Sequence, residues 1–462
     1  MFIDGLAGQC FCCDYRTPFD TARRLCEGPN CTLPSSFRAI DPELYVSVIP
    51  ETDFDYGASV SGSGSDSLVA FGPDVKVSDP ITNVRAISSN RMQASSRQTV
   101  STESLLPYRT DMLANLGLSL GRPTVYRCAR LEGVGAFAKV YVLDMSTFYW
   151  SHTLKDPRSW AILNVAIAKG IRHLALYTAG NAGISLARLA YAVNKRLAPE
   201  QRISIYALVD ETVAPEIRTV LQNAGCKVAT VEGGYILDQS NIWQTVNSTF
   251  LGSSSSKAPR NAWHVTDGWD GVGIPMYRLL MAEVLRALPV QYIVAPVGTG
   301  NLFLGIHMGV RDAAQTPRPL LFGAVPEGEN ILRHLRLQRI PGASRKGSSE
   351  RPVMPKLVGR YTPLAPCLKH IMADTRYVVV SRKMQEKARL LVDGEVAFEP
   401  SALAAVAALP EMNRVARRVE GHGIKQYRKF RSSSSVLVVN TGFGLISNHE
   451  MDFLAGKKTH FN

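Results

Sequence analysis

From about residue 105 onward, short apolar segments alternate with longer segments of helical spacing, and this alternation constrains the fold more than any other feature. A strand is predicted at 139–144, a helix at 159–169 and another strand at 173–177. Alternation of this kind is typical of parallel sheets covered by helices on both faces, so the sequence predicts an α/β protein. The pattern continues in predicted helices at 184–197 and 214–224 and in predicted strands at 203–209, 227–231, 292–295, 320–325 and 436–439.

One uncharged stretch, residues 287–310, is long enough to span a bilayer. It contains Pro289, Pro296 and four glycines, so it cannot form one uninterrupted helix. A strand, a glycine turn and the start of a helix fit it better. The acidic start Met1-Phe2-Ile3-Asp4 has no basic region of a signal peptide. We therefore expect a cytoplasmic protein without a membrane span.

The first 45 residues are predicted to form a small module rich in cysteine. Cys10 and Cys13, followed by Cys26 and Cys31, could supply four thiolates to a structural zinc ion. A segment this short has little core of its own, so a metal would be its main stabiliser. Three interpretations stay open: a zinc site, a ribbon that binds nothing, and disulfides. Residues 46–104 are rich in Ser, Gly and Asp and are predicted to be a linker.

The net charge of +13 is concentrated in two segments. Residues 333–382 contain 11 Lys and Arg against two acidic residues, and residues 414–431 contain seven against one. A basic patch can hold phosphate, nucleic acid or an acidic partner, and it can also be an ordinary solvated surface. Nucleic acid is the weakest of these options because no recognised motif accompanies the charge.

Three glycine turns follow predicted strands. The first is Thr178-Ala-Gly-Asn-Ala-Gly183, the second is Gly298-Thr299-Gly300-Asn301-Leu302, and the third is Thr441-Gly-Phe-Gly-Leu445. Glycine lets the backbone turn sharply and approach a ligand, and successive amides can cradle an anion. The second turn lacks the Gly-Lys-Ser/Thr of a nucleotide-binding P-loop and the third glycine of a dinucleotide fingerprint.

Lys155 lies in the segment Thr153-Leu-Lys-Asp-Pro157, ahead of the three turns. Most lone lysines are solvated, and each turn alone is weak evidence. In this order, however, the four elements offer an amine for a Schiff base, an amide for a ring hydroxyl, a loop for a phosphate and a hydroxyl for a pyridine nitrogen.

This set resembles the fold type II (tryptophan synthase β-like) pyridoxal-phosphate enzymes, and it is most similar to threonine synthases. Weaker similarities fall in the same order at Leu118–Thr124 and Phe398–Ala402, and the cysteine module resembles the ribbon that some threonine synthases carry. The resemblance implies a large cofactor-binding domain from residues 105–160 and 265–462, a smaller mobile domain from residues 161–264, and a homodimer.

The resemblance also implies roles for single residues. Lys155 would hold pyridoxal 5'-phosphate covalently and act as the catalytic base, and Asn181 would hydrogen-bond the ring hydroxyl. The cofactor phosphate would bind at Gly298, Thr299, Gly300, Asn301 and Leu302. Thr441 would face the pyridine nitrogen as a neutral partner, which still permits elimination chemistry.

The chain departs from the family pattern on the substrate side. Phe148-Tyr-Trp-Ser151 replaces the family's Asn-Pro-Thr-Gly before the lysine, Pro157 displaces an arginine, and Phe443 replaces a histidine. We expect a lyase acting on a small amino acid with a β or γ leaving group. Threonine synthesis from phosphohomoserine is favoured over β-replacement on a serine derivative, and over a degenerate relative that only binds. A phosphorylated substrate would need cations, and Arg333, Arg336, Arg339, Arg345 and Arg351 are the candidates.

Overall fold

A computed structural model contains two large sheets and one two-stranded sheet. It describes residues 112–121, 123–211, 213–231, 239–267, 271–313, 317–328, 330–332, 357, 364–372, 374–392, 398–420 and 434–444, together with the backbone of three short strands before residue 100.

The larger sheet has seven strands in the order β12-β11-β10-β13-β5-β4-β3. The five strands from β12 to β5 are parallel, whereas β4 and β3 run antiparallel at one edge. This edge modifies the expectation of a purely parallel sheet, and β3 lies inside the segment predicted to be a linker. The strands are β3 (Gln98–Thr99), β4 (Thr124–Arg127), β5 (Lys139–Asp144), β10 (Tyr292–Pro296), β11 (Leu320–Pro326), β12 (Thr375–Val380) and β13 (Ser435–Asn440).

The smaller sheet has four parallel strands in the order β8-β7-β6-β9. These strands are β6 (His173–Tyr177), β7 (Ser204–Asp210), β8 (Lys227–Val231) and β9 (Ala262–His264). All of them come from residues 161–264, the segment predicted to be the smaller domain. A separate antiparallel pair, β1 (Ala7–Gln9) and β2 (Arg16–Pro18), brackets Cys10 and Cys13.

Helices connect the parallel strands, as the alternating pattern predicts. They are α1 (Met112–Asn115), α2 (Lys155–Ala168), α3 (Asn181–Asn194), α4 (Pro215–Asn223), α5 (Gln239–Phe250), α6 (Gly273–Ala287), α7 (Asn301–Asp312), α8 (Ala365–Ile371), α9 (Arg382–Val392) and α10 (Leu403–Glu420). The uncharged stretch 287–310 is a strand, a glycine turn and a helix, which confirms that prediction. Within the described ranges, no helix combines the length and apolar character needed to cross a membrane.

The central strands are buried on both faces, because helices cover both sides of each sheet. In β13, Val436 and Val438 pack into one core, while Leu437 and Val439 pack into the other. Alternate residues of a strand point to opposite faces, so a continuous apolar run serves both layers. Because both faces of these central strands are buried, their sequences are unbroken apolar segments.

Two glycines of α7 let this helix pack directly against the backbone of α6. A Cβ atom on Gly305 would lie 2.8 Å from the carbonyl oxygen of Ile274, and one on Gly309 would lie 2.5 Å from that of Arg278. Small residues four apart on one helix face create the groove that the neighbouring helix fills. This close packing fixes the start of α7, which carries the second glycine turn.

Candidate active site

The polar residues singled out by the sequence lie at the carboxyl ends of parallel strands. In the larger sheet, β10, β13 and β5 are neighbours, and the glycine turn 298–300, Thr441 and the segment leading to Lys155 follow their ends. In the smaller sheet, Asn181 follows β6 and its neighbour β9 leads to Asp267. Ligands of open α/β sheets bind beyond the carboxyl ends of the strands, so this edge is the candidate site.

Lys155 is the first residue of α2, and a buried carboxylate shapes the turn before it. Asp156 accepts hydrogen bonds from the backbone N–H groups of Trp150 (2.8 Å) and Ser151 (2.9 Å). It also accepts from the hydroxyls of Ser151 (2.5 Å) and Ser185 (2.7 Å). Burial raises the pKa of Asp156, and these hydrogen bonds oppose that rise. The network closes residues 150–156 into one rigid turn.

The third glycine turn fastens this segment to the end of β13. The N–H of Leu154 donates to the carbonyl of Thr441 (2.9 Å), and the N–H of Phe443 donates to the carbonyl of His152 (2.9 Å). Gly442 has φ +123°, and a Cβ there would lie 2.5 Å from the Cα of Thr153. Only glycine permits so close a crossing of two backbones. Thr441 is thereby buried directly beside the lysine segment.

Asp267 connects the lysine to the second glycine turn. One carboxylate oxygen, Oδ2, accepts from the Nζ of Lys155, and the other, Oδ1, accepts from the Nδ2 of Asn301 at 2.6 Å. The Nε of Arg158 lies 3.6 Å from Oδ1. Arg158 is 0% exposed, so this carboxylate lies between a fully buried guanidinium and the lysine amine. Lysine, arginine and aspartate together leave the cluster with one net positive charge.

The charge state of Asp267 follows from these neighbours. Burial by itself would raise the pKa of Asp267, but the positive charges of Lys155 and Arg158 and the hydrogen bonds from Lys155 and Asn301 outweigh it. The pKa of Asp267 therefore lies well below its ordinary range, and the carboxylate is ionised at neutral pH.

Asn181 is the first residue of α3, after Gly180 in a left-handed conformation with φ 137°. Its Nδ2 donates to Oε2 of Glu399 at 2.9 Å, and both side chains are buried. A Cβ on Gly444 would lie 2.8 Å from the Oδ1 of Asn181, so the third glycine turn also passes over this amide. The smaller sheet thus contacts the lysine region through Asn181.

The second glycine turn passes from β10 into α7. Gly300 has φ +104°, and a Cβ there would lie 2.7 Å from the Cδ1 of Leu368. Gly300 is therefore required by backbone conformation and by packing against α8. The Oδ1 of Asn301 is buried and has no hydrogen-bond partner among the described residues. The first amides of α7 lack partners within the helix, as at every helix start, and can receive an anion.

These contacts join all four elements that the sequence predicted. Lys155 meets the second turn through Asp267, and it meets the first and third turns through Thr153, Gly444 and Thr441. The roles assigned to these residues and the domain boundaries stay predictions.

Sequence reasoning missed Asp267, and it gave no role to Arg158 or to Glu399, the latter noted only as part of a motif. Asp267 lies three residues after β9 (Ala262–His264), so an acidic residue just beyond a strand end was the available signal. Its partner lies 112 positions earlier in the chain.

Two predicted features lie outside the described residues. They are the cysteines at 10, 13, 26 and 31 and the arginines at 333, 336, 339, 345 and 351. Where the structure does describe the chain, no group of three or more His, Cys, Asp or Glu residues could hold a metal ion.

Comparison with protein families gives one match over most of the chain. A family model described as "Pyridoxal-phosphate dependent enzyme" matches residues 122–441. This range includes Lys155, Asn181, the second glycine turn and Thr441. A search of curated protein sequences finds no match.

Solved structures share the fold at low sequence identity. A pyridoxal 5'-phosphate-dependent aspartate racemase has a TM-score of 0.53 and 13% identity, over 79% of this chain and 96% of its own. O-ureido-L-serine synthase has a TM-score of 0.52 and 18% identity, over 75% and 96%. A fungal L-serine ammonia-lyase from Rhizomucor miehei has a TM-score of 0.53 and 15% identity, over 72% and 98%. At these identities the likeness concerns the fold alone.

Proposed function

The chain belongs to the pyridoxal-phosphate dependent enzyme family, and from this we propose that it is a lyase or replacement enzyme acting on a small amino acid with a β or γ leaving group. The observation that carries the proposal is the position of Lys155, whose amine lies at the point where the ends of both sheets converge. Threonine synthesis from phosphohomoserine is the specific reaction that we propose. It rests on the similarity of the lysine segment and the three glycine turns to those of threonine synthases.

The residues present fit pyridoxal phosphate. The glycine turn and the first amides of α7 form a cradle of N–H donors that suits an anion. A carboxylate beside that cradle would repel a phosphate, but Lys155 and Arg158 leave the cluster with net positive charge. When bound, pyridoxal phosphate supplies an aldehyde for an amine and a ring that withdraws electrons from the α-carbon.

The other roles in binding and catalysis belong to residues of the chain. The phosphate would be bound by Gly298, Thr299, Gly300, Asn301 and Leu302, while Asn181 and Thr441, which follow strands of different sheets, would orient the ring. Lys155 would hold the cofactor covalently, and its free Nζ would accept the proton from the substrate α-carbon. The rigid turn that Asp156 builds keeps that nitrogen in place.

A trapping experiment tests the proposal. Protein incubated with pyridoxal phosphate and reduced with borohydride should carry the pyridoxyl group on Lys155, as peptide mapping would show. Lys155→Ala should lose the label, and Lys169→Ala should keep it, because Lys169 is exposed at the far end of the same helix. A label on another lysine, or wild-type protein that takes up no cofactor, would refute the assignment.

A substrate panel then identifies the reaction. Phosphohomoserine, O-substituted serines and serine are incubated with loaded enzyme, and the released leaving group and the amino-acid products are measured. We expect threonine and phosphate from phosphohomoserine. Turnover of a serine derivative alone would favour β-replacement, and binding without turnover of any member would favour a degenerate relative.

A further inference from the structure

Asp267 occupies a position for which the proposed mechanism has no use. Its carboxylate contacts the nitrogen that would join the cofactor, although a phosphate held in the anion cradle beside it would repel a negative charge. An ionised carboxylate that is only 14% exposed in such a place must be stabilised by positive charge nearby.

The carboxylate is held in a fixed orientation. Its Oδ1 accepts from Asn301 and lies near Arg158, and its Oδ2 is left for Lys155. Arg158 is itself fixed, because its guanidinium donates to the carbonyl of Val265 at 2.7 Å. The negative charge therefore faces the lysine nitrogen from a rigid support that does not depend on the lysine.

We propose that Asp267 is the counter-ion of the Lys155 nitrogen, a positioning residue that keeps this nitrogen protonated and directed toward the phosphate turn after it has joined the cofactor. This inference rests on the proposed function. A cationic nitrogen makes the adjoining carbon more open to attack by the substrate amine, so a fixed counter-ion would speed the exchange of lysine for substrate.

Two basic groups and one amide surround the carboxylate. Within the part of the chain that the structure describes, the charged groups that act on Asp267 are Lys155 and Arg158, both on α2, and the contact from α7 is the neutral amide of Asn301. Replacing Asp267 by asparagine removes the negative charge that faces the nitrogen and keeps a side chain of the same shape.

The test is a spectroscopic pH titration of the cofactor-loaded protein. The absorbance of a cofactor joined to a lysine reports whether the joining nitrogen is protonated, independently of turnover. A nearby opposite charge shifts such a titration by roughly 1 to 3 pH units. We expect the protonated form to be lost at a pH at least 1 unit lower in Asp267→Asn than in wild type, and Asp267→Glu to restore part of the difference.

A matched control separates the local charge from general damage to the fold. Asp312 pairs with Arg278 between α6 and α7, away from the lysine. Asp312→Asn should leave the titration unchanged. The inference is overturned if Asp267→Asn binds the cofactor and titrates like wild type, or if Asp312→Asn shifts the titration equally.

Two outcomes distinguish this inference from the proposed function. If wild type forms no covalent cofactor band, the proposed function fails and the inference fails with it. If wild type forms the band and Asp267→Asn does not, the Asp267→Glu variant decides the question. A titration midpoint close to that of wild type in Asp267→Glu supports the counter-ion. A midpoint at least 1 pH unit lower, as expected for loss of the charge, overturns it.

Discussion

Gly442→Ala should displace the lysine segment without adding any polar group. The new Cβ would lie 2.5 Å from the Cα of Thr153, while an ordinary contact begins at 3.4 Å. One of the two backbones must therefore move by about 0.9 Å. In addition, φ +123° is a conformation that side chains rarely adopt, and left-handed backbone costs a non-glycine residue about 1–2 kcal/mol.

The two costs can be separated with a second glycine. Gly225 has φ +93° and no atom within 4 Å of a Cβ built on it, so Gly225→Ala measures the conformational cost alone. We expect Gly225→Ala to lose about 1–2 kcal/mol of unfolding free energy. Gly442→Ala should lose about 1–3 kcal/mol more, because overpacking against backbone adds its own cost.

The functional consequence should exceed the loss of stability. A shift of about 1 Å in a reacting group can reduce a rate about 100-fold, and one of the two crossing backbones, at Thr153, lies two residues before Lys155. Urea unfolding gives the stability, and stopped-flow absorbance gives the rate at which Lys155 takes up pyridoxal phosphate. If Gly442→Ala were as stable as Gly225→Ala and took up cofactor at the wild-type rate, the close crossing would not position the lysine.

Three further predictions concern charge and metal. Because the pKa of Asp267 is lowered in the folded protein, its contribution to stability is present above the pKa of about 4 in the unfolded chain and is lost as pH falls toward the folded-state pKa. In urea unfolding, the difference in unfolding free energy between wild type and Asp267→Asn should therefore decrease below about pH 4. Elemental analysis should find one zinc ion per chain, lost on mutation of the four cysteines of the N-terminal module, whereas metal-free protein would favour a ribbon that binds nothing. Charge reversal of the arginine cluster at 333–351 should weaken turnover of a phosphorylated substrate and its dependence on salt, and unchanged kinetics would make the cluster ordinary surface.

Local features of the chain could be predicted from the sequence alone because their causes are local. The strands at 139–144 and 227–231 occupy the predicted residues, since short runs rich in β-branched residues and bounded by turns favour strands. The predicted helix starts agree less well with the structure. Helix α2 begins at Lys155, four residues before the predicted start, because the hydrogen bonds that Asp156 accepts from the preceding turn stabilise an extra turn of helix. The order of the lysine and the glycine turns was also sufficient to suggest the family.

Only the tertiary structure could show which side chains meet. Asp267 and Lys155 are 112 residues apart, and Asn181 and Glu399 are 218 residues apart. Their contacts depend on β6 lying beside β9 and on β13 lying between β10 and β5, which is a matter of strand order rather than of local pattern. Gly442 is a further example. The sequence predicts a turn there, but glycine is required at this position because the fold places the backbone of Thr153 against it. Side chains at parallel strand ends become one site only when the sheets have assembled, and the charge balance of that site is decided there.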